Sequence, residues 1–170
     1  FKDLVQKINF LESRGQKTIL LGVSFALLDL LEYHRFNLKN TLIMETGGMK
    51  GKRKEITRME LHQILCDGFG CKKIHSEYGM TELFSQAYSN GEGIFECQPW
   101  MQVSIRENQD PFQPLQNGQT GGINIIDLAN RDSCAFLATD DIGKVHSNKK
   151  FEVLGRFDHS EARGCNLMVF

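Results

Sequence analysis

The chain has 170 residues and a formal net charge of −1, from 20 lysines and arginines against 21 aspartates and glutamates. That length suits one domain or two small ones, and an apolar fraction of 41% is ordinary for a globular protein with a buried core. Such a balanced charge gives no broad basic face, which argues against nucleic acid or an acidic membrane surface as a partner.

The cysteines and the hydropathy of the chain indicate the class of protein and its redox compartment. The five cysteines are odd in number and irregularly spaced, which argues against the disulfide framework of a small secreted protein and favours a reducing cytoplasm. The most apolar stretch, residues 18–31, is interrupted by Ser24 and Asp29 and is too short to span a bilayer. Because the chain begins at Phe1, inside what reads as a helix, we expect a fragment of a longer protein.

The first half of the chain alternates helical and strand patterns. Apolar periodicity predicts helix, strand, helix, strand and helix in that order, over residues 1–14, 17–21, 25–35, 41–44 and 58–66. Gly22 is expected to turn the chain and Ser24 to cap the second helix. Thr57 and Glu60 have the spacing of a capping box for the third helix. Its inner residues are predicted to be Met59, Leu61, Ile64 and Leu65. The alternation predicts an α/β fold, with a mostly parallel sheet and covering helices.

The second half has a different texture, with short apolar segments separated by turn residues. Predicted strands cover residues 93–97, 101–106, 121–128, 134–139, 144–146 and 151–154. Such a run predicts antiparallel pairing, in a small β-barrel or a strongly curved sheet. The change of period places a boundary near residue 90, so we expect two subdomains, residues 1–90 and 91–170.

The stretch over residues 75–82 carries the strongest chemical signal. It follows a short apolar segment and precedes another over residues 83–87, which predicts a strand end, a tight loop and a helix start. Gly79 allows the backbone to approach a ligand closely. Thr81 and Glu82 supply a hydroxyl and a carboxylate where strand ends of α/β folds face a ligand crevice. The stretch therefore predicts a loop that binds a nucleotide and a metal ion.

Two features of the first half leave alternatives open. Gly47 and Gly48 follow a predicted strand, where they would let a flat ring pack closely or simply form a glycine turn. The nearby cations would face a polyphosphate or lie on a solvated loop; they are Lys50, Lys52, Arg53 and Lys54.

The second half holds three more candidate groups. The carboxylates of Asp140 and Asp141 suit the vicinal hydroxyls of a ribose, although an acidic hairpin turn would look similar. Arg156 could donate a forked hydrogen bond to phosphate or ribose, or pair with Asp158. Cys165 follows a glycine and lies near an arginine, which favours a thiolate, but a plain strand cysteine fits as well.

Taken in order, these groups resemble the later motifs of the adenylate-forming ligases, the superfamily that contains the acyl-CoA synthetases. The segments that carry the resemblance are residues 47–48, 78–82, 139–143 and 155–158. Within that superfamily the sequence is most similar to that of the acyl-protein synthetases, the fatty acid ligases linked to the bioluminescence acyl reductase. Their similarity rests on residues 75–82, 122–129 and 163–167, and it extends from about residue 18 to the end of the chain.

The resemblance implies a nucleotide site. Gly47 and Gly48 match the loop that packs against one side of adenine, and Tyr78 and Gly79 match the wall on its other side. These four residues would bind the base of ATP.

The resemblance also implies contacts with the rest of the nucleotide. Thr81 matches the hydroxyl that meets phosphate, and Glu82 matches the carboxylate that holds Mg²⁺. Asp141 matches the ribose ligand, with Asp140 as the less favoured residue. Arg156 matches an arginine that contacts ribose or phosphate near a hinge.

Family chemistry then gives the expected reaction. A fatty acid or other carboxylate is joined to AMP, and Cys165 matches the near-terminal cysteine that accepts the acyl group as a thioester. An acyl-accepting protein such as an acyl reductase is the implied partner. The chain departs from the superfamily because it has no Ser/Thr/Gly-rich phosphate loop before Glu45 and no larger lid after Phe170.

We therefore expect the C-terminal part of an ATP-dependent fatty acid:protein ligase, incomplete as an isolated chain. Two other functions stay open. One is an acyl-CoA ligase of the phenylacetate-CoA ligase type, in which coenzyme A takes the acyl group. The other is a non-catalytic nucleotide-binding module.

Overall fold

The computed structural model describes residues 1–49, 51–54, 56–108, 110 and 112–157. The helices are α1 (Lys2–Ser13), α2 (Ser24–Tyr33) and α3 (Arg58–Phe69). The strands are β1 (Thr18–Val23), β2 (Thr41–Thr46), β3 (His75–Tyr78), β4 (Ala87–Ser89), β5 (Ile94–Glu96), β6 (Met101–Arg106), β7 (Thr120–Asp127), β8 (Phe136–Val145) and β9 (Phe151–Arg156). A 3₁₀ turn over Leu128–Asn130 follows β7.

The chain forms two compact units. The first comprises Phe1–Glu77 with Asn90–Glu92, and the second comprises Tyr78–Ser89 with the described residues from Gly93 onward. The domain boundary near residue 90, predicted from the change in the spacing of apolar residues, stays a prediction.

The first unit contains the two parallel strands predicted over residues 17–21 and 41–44, and a third parallel strand, β3, begins where the sequence predicted a strand to end. β1 pairs in parallel with β2, and β2 pairs in parallel with β3, where Met44 lies opposite His75. The three helices supply most of one apolar core, which includes Ile8, Leu30, Leu65 and Phe69. At the end of α1, the Glu12 carboxylate accepts hydrogen bonds at 2.7 Å from the amide of Lys39 and at 2.9 Å from that of Asn40. This carboxylate ties the first helix to the start of β2.

Local signals in α3 are confirmed at its ends and only partly along its face. Thr57 and Glu60 form the predicted capping box, and Gly70 ends the helix in the left-handed conformation with φ of 68°. The predicted inner face is half right: Leu61 and Leu65 are buried, but Met59 and Ile64 are exposed.

Two expectations about the chain between β1 and α2 are wrong. Gly22 lies inside β1 and does not turn the chain; a Cβ there would meet the Leu27 side chain at 2.8 Å. Ser24 is the first residue of α2, and its hydroxyl makes no cap hydrogen bond. The hydroxyl instead donates to Glu45, 21 residues away in the chain.

The second unit is antiparallel, as predicted, but its strands do not close into a barrel. Its strand order is β4-β5-β9-β8-β7-β6. Within the described residues the two end strands, β4 and β6, do not pair, so this part is an open sheet. Its core includes Phe95, Ile123, Ile125 and Phe151. The predicted strands over residues 134–139 and 144–146 are one continuous strand, β8.

The helix expected after residue 82 does not form. The segment runs as a loop into β4. Burial alternates along it, since Leu83, Ser85 and Ala87 are buried whereas Phe84 and Tyr88 are exposed. That period of two is typical of an extended chain, whose side chains point to alternate sides.

Candidate functional site

In the first unit, a buried carboxylate lies on β2 before the glycine pair. Glu45 is 3% exposed, accepts a hydrogen bond from Ser24 Oγ at 3.0 Å and lies 3.5 Å from His62 Nε2. Ser76 Oγ lies 3.3 Å from the same His62 nitrogen. Burial alone would raise the pKa of Glu45, but hydrogen bonds from His62, Ser76 and Ser24 and the nearby charge of Arg58 bring this pKa below its usual value. The carboxylate is therefore held ionised among its neighbours.

The glycine pair leaves the end of β2 open. Gly47 has a backbone φ of 69°, a conformation that residues with a Cβ rarely adopt. A Cβ at Gly48 would meet nothing within 4 Å. This open space is compatible with the approach of a flat ring, and the adenine contact stays a prediction.

The cationic segment after Gly48 is partly engaged inside the first unit. Arg53 pairs with Asp29, and its Nη1 lies 2.7 Å from Glu32 Oε1. These partners raise the pKa of the Arg53 guanidinium further above its usual value, and the hydrogen bond that Arg53 donates to Glu32 contributes most. Arg53 is thus already paired with carboxylates, and Lys50 lies outside the described residues.

In the second unit, Thr81 and Glu82 lie in a turn between β3 and β4, and both are exposed. The turn is anchored through its backbone. Asn130 Nδ2 donates to the carbonyl of Glu82 at 2.7 Å, and Asp127 accepts from the amides of Phe84 and Ser85. No pattern in the sequence assigns a role to Asp127 or Asn130.

The predicted ribose carboxylate lies in the interior of β8. Asp141 pairs across the sheet with Arg156 of β9, and Arg156 Nε lies 3.5 Å from Asp141 Oδ1. Asp140 also faces Arg156, with 3.6 Å between Oδ2 and Nη2. The alternative of an acidic hairpin turn is therefore wrong. Asp158, the other proposed partner of Arg156, lies outside the described residues.

Exposure separates the two aspartates. The Asp141 side chain is 13% exposed and that of Asp140 is 50% exposed. Asp141 also accepts a hydrogen bond from Tyr78 Oη at 2.7 Å. Asp141 is thus the better fixed of the two, and its contact with a ribose stays a prediction.

Tyr78 connects this carboxylate to the core. Its ring is 9% exposed and packs edge-on against Phe95 and Phe151, with centroids 6.0 Å and 5.6 Å away. Burial and the Asp141 charge raise the pKa of the Tyr78 hydroxyl, so it stays a neutral donor. The structure shows Tyr78 orienting Asp141; its predicted contact with adenine, and that of the exposed Gly79, stay predictions.

A buried arginine that the sequence did not single out supports the same strand. Arg106 is 8% exposed and donates to the carbonyls of Ile123 at 2.8 Å and Thr139 at 2.7 Å. Gly122 makes room for it, because a Cβ there would lie 2.6 Å from the guanidinium carbon. The Thr139 hydroxyl in turn accepts from the Asp141 amide at 3.2 Å.

The cysteines differ in their suitability as nucleophiles. The four described ones are free thiols. Burial raises the pKa of both Cys71 and Cys97 to about 11, which disfavours the thiolate. Cys134 is exposed. Cys165, the predicted acyl acceptor, lies outside the described residues.

The donor set for a metal ion is sparse. Among the residues that the structure describes, no three acidic, histidine or cysteine side chains converge on a metal position. Mg²⁺ commonly binds through one or two carboxylates together with substrate phosphates, so the exposed carboxylate of Glu82 fits that mode of binding.

The comparison with protein families decides the identity. The model of the family described as "Acyl-protein synthetase, LuxE" matches residues 2–170. The chain belongs to the LuxE acyl-protein synthetase family. Two curated relatives are long-chain-fatty-acid–luciferin-component ligases. The one from Vibrio harveyi is 25% identical over 185 residues, covering 99% of this chain and 49% of the relative. The one from Aliivibrio fischeri is 21% identical over 187 residues, with the same coverage.

This LuxE-family chain thus spans about half the length of the curated relatives it matches. Solved structures share its fold. O-succinylbenzoate coenzyme A synthetase (MenE) from Bacillus subtilis, in complex with ATP and magnesium ion, superposes with a TM-score of 0.61 at 22% identity, over 91% of this chain and 34% of that one. ATP-bound MatB from Rhodopseudomonas palustris gives 0.61 at 19% identity, over 89% and 33%. At these identities the likeness shows the fold alone.

No helix among the described residues has the length and apolarity to cross a membrane.

Proposed function

We propose that this chain is the C-terminal part of an ATP-dependent fatty acid:protein ligase that acts in the cytoplasm. The observation that carries the proposal is an exposed Thr81–Glu82 turn, anchored by buried polar groups, in a chain that the acyl-protein synthetase model matches from residue 2 to residue 170. The names of the Vibrio harveyi and Aliivibrio fischeri relatives support a long-chain fatty acid as the substrate.

In the first half-reaction, a carboxylate oxygen of the fatty acid attacks the α-phosphate of ATP, and pyrophosphate leaves. The carboxylate becomes part of a mixed anhydride with AMP, which is a better electrophile. Mg²⁺ would neutralise charge that develops on the phosphates, and Glu82 would hold it. The Thr81 hydroxyl would donate a hydrogen bond to a phosphate oxygen. A donor fixed in this position stabilises the charge that develops on the phosphate.

Nucleotide orientation falls to the β8–β9 pair. Asp141 would accept hydrogen bonds from the ribose hydroxyls, while Tyr78 and Arg156 keep its carboxylate in place. Holding the nucleotide in a reactive orientation removes much of the entropic barrier of a two-substrate reaction. Gly47 and Gly48 would leave room for the base.

In the second half-reaction, the Cys165 thiolate attacks the acyl carbonyl, AMP leaves, and a thioester forms. A thiolate is a strong nucleophile, so this step divides one difficult acyl transfer into two easier ones. The thioester would then pass its acyl group to a partner protein such as an acyl reductase.

The test is covalent labelling of the full-length protein that the gene encodes. With ATP, Mg²⁺ and labelled myristate, the wild type should carry a hydroxylamine-sensitive label, and Cys165→Ser should carry none while still forming acyl adenylate. Cys134→Ser is the matched control. Cys134 is an exposed cysteine, and this variant should still be labelled at Cys165. A label that survives in Cys165→Ser would contradict the assignment.

An acyl-CoA ligase is the second candidate, because the fold is shared with O-succinylbenzoate coenzyme A synthetase. Adding coenzyme A to the same assay separates the two functions. Acyl-CoA product that persists in Cys165→Ser would favour this second candidate. Absence of acyl adenylate under all conditions would leave a nucleotide-binding module without catalysis.

A further inference from the structure

We propose that Asp127 and Asn130 are positioning residues for the Thr81–Glu82 turn, which fix its backbone so that the Thr81 hydroxyl and the Glu82 carboxylate are preset for phosphate and magnesium. The inference rests on the proposed function for the identity of the ligand. The anchoring itself stands on hydrogen bonds between described residues of the second unit.

Asp127 is the last residue of β7 and is fully buried, with 0% exposure. Its Oδ2 accepts from the amides of Phe84 at 3.0 Å and Ser85 at 2.9 Å. Its Oδ1 accepts from Ser85 Oγ at 2.7 Å and from the Ala129 amide at 3.1 Å. A buried carboxylate is costly unless such donors satisfy it, so the loop and this side chain depend on each other.

The charge state of Asp127 agrees with this geometry. Burial alone would raise its pKa, but the hydrogen bonds from Ser85, Phe84 and Ala129 together hold the pKa below its usual value. An ionised carboxylate accepts only, which matches a site where every neighbour is a donor.

Asn130 binds the backbone of Glu82, one of the two residues proposed to contact the ligand. It is 2% exposed, and its Nδ2 donates to the carbonyls of Glu82 at 2.7 Å and Cys134 at 2.8 Å. Its Oδ1 accepts from Ser133 Oγ. All its hydrogen-bonding groups are engaged in a single orientation, so Asn130 fixes the position of the Glu82 carbonyl.

The pattern of burial indicates that these contacts serve more than packing. Both anchors are buried, and they bind the backbone of Glu82, Phe84 and Ser85, yet the side chains of Thr81 and Glu82 in the adjoining turn remain exposed. An exposed turn without such anchors would open easily on its own. Anchoring the backbone while leaving the side chains accessible is the arrangement that a preorganised binding turn requires.

The first arm of the test needs no activity. Hydrogen exchange of the full-length protein should be compared for the wild type, Asp127→Asn, Asn130→Asp and the control Asp132→Asn, whose side chain is 90% exposed. Loss of charged or buried hydrogen bonds should speed exchange at Phe84 and Ser85 by about tenfold or more in Asp127→Asn. Asn130→Asp places an acceptor against two carbonyls and should speed exchange across residues 82–85.

Protection of the core amides of Ile123 and Ile125 reports whether each variant is folded. If Asp127→Asn loses that protection, Asn130→Asp decides the question alone. Exchange over residues 82–85 that stays at the wild-type rate in a folded Asn130→Asp variant would overturn the proposal.

The second arm measures fatty-acid-dependent exchange of pyrophosphate into ATP against Mg²⁺ concentration. In Asn130→Asp the Mg²⁺ midpoint should rise about tenfold, as for loss of one good interaction, and excess Mg²⁺ should restore much of the rate. A general loss of structure would lower the rate equally at every Mg²⁺ concentration. An unchanged midpoint beside faster hydrogen exchange would overturn the link to magnesium.

The two proposals fail in different ways. If the wild type makes no acyl adenylate, the proposed function fails and the magnesium role falls with it. Hydrogen exchange then still decides whether Asp127 and Asn130 hold the turn.

Discussion

The two units use buried polar side chains for different ends. In the first unit, Ser24 and His62 are buried or nearly so, and both contact the buried Glu45 carboxylate. In the second unit, Asp127 and Asn130 are equally buried but bind the backbone of Glu82, Phe84 and Ser85, beside a turn in which the Thr81 and Glu82 side chains face solvent. A closed polar cluster stabilises a fold, whereas a cluster that holds an exposed turn prepares a surface for a ligand.

This difference separates stability from function. Changes in the first cluster should lower the free energy of unfolding, and changes in the second should also alter nucleotide and metal binding. Stability and ligand affinity therefore need to be measured on the same variants.

The largest effect is expected at Glu45. Glu45→Ala removes the carboxylate that contacts the buried Ser24 hydroxyl and the His62 ring, and it leaves Ser24 only the more distant carbonyls of Thr46 and Gly47. The free energy of unfolding should fall by about 3 kcal/mol. Urea unfolding followed by circular dichroism measures this. Glu32→Ala is the control, because that side chain is 68% exposed and should matter little. An unfolding midpoint unchanged by Glu45→Ala would remove the stabilising role of the first cluster.

Lowering the pH should reduce the free energy of unfolding of both units. The reduction should be smaller than the one caused by Glu45→Ala. The folded-state pKa of Glu45 and that of Asp127 lie below their usual values of 4.5 and 3.8. The ionised carboxylates therefore stabilise the fold above those values, and this stabilisation is lost as the pH falls through the lower folded-state pKa. Urea midpoints between about pH 3 and pH 7 should fall on the acid side, and less steeply in Glu45→Gln and Asp127→Asn. An identical acid profile in both variants would contradict the assignment.

The smallest effect on stability is expected at Tyr78. Tyr78→Phe keeps the ring in its aromatic core and removes one hydrogen bond to Asp141, at a cost of about 1 kcal/mol. AMP affinity of the full-length protein should fall by about fivefold, since Asp141, the proposed ribose ligand, loses its support. Calorimetry measures the binding, and Tyr33→Phe, at an exposed tyrosine, is the control. Equal AMP affinity in Tyr78→Phe and wild type would place Asp141 outside the ribose site.

Local sequence signals predicted the fold where neighbours in the chain decide it. The capping box of Thr57 and Glu60 set the start of α3, and the strand over residues 101–106 has its predicted bounds. The spacing of Leu83 and Ala87 fits both a helix and an extended chain. Asp127 resolves this ambiguity from more than 40 residues away by binding the Phe84 and Ser85 amides.

The candidate site could likewise be predicted only in part from the sequence. Resemblance to a family nominated Thr81, Glu82 and Asp141, whose residue types suit the proposed chemistry. The residues that hold them were not recognised. Arg106 and Asn130 act through distant carbonyls, and nothing in their local sequence reports those contacts. The alternative of an acidic hairpin turn stayed open for Asp140 and Asp141 because their partners, Arg156 and Tyr78, are distant in the sequence.

The claim that the Thr81–Glu82 turn serves carboxylate adenylation is tested most directly by ATP–pyrophosphate exchange in the full-length protein with fatty acid and Mg²⁺. Glu82→Gln should lower the exchange rate by about 100-fold, the usual scale for losing one preorganised electrostatic contact in a reaction of charged groups. Asp132→Asn, an exposed acid-to-amide change in the same unit, should exchange at the wild-type rate. Exchange in Glu82→Gln at the wild-type rate, with unchanged Mg²⁺ dependence, would contradict the account.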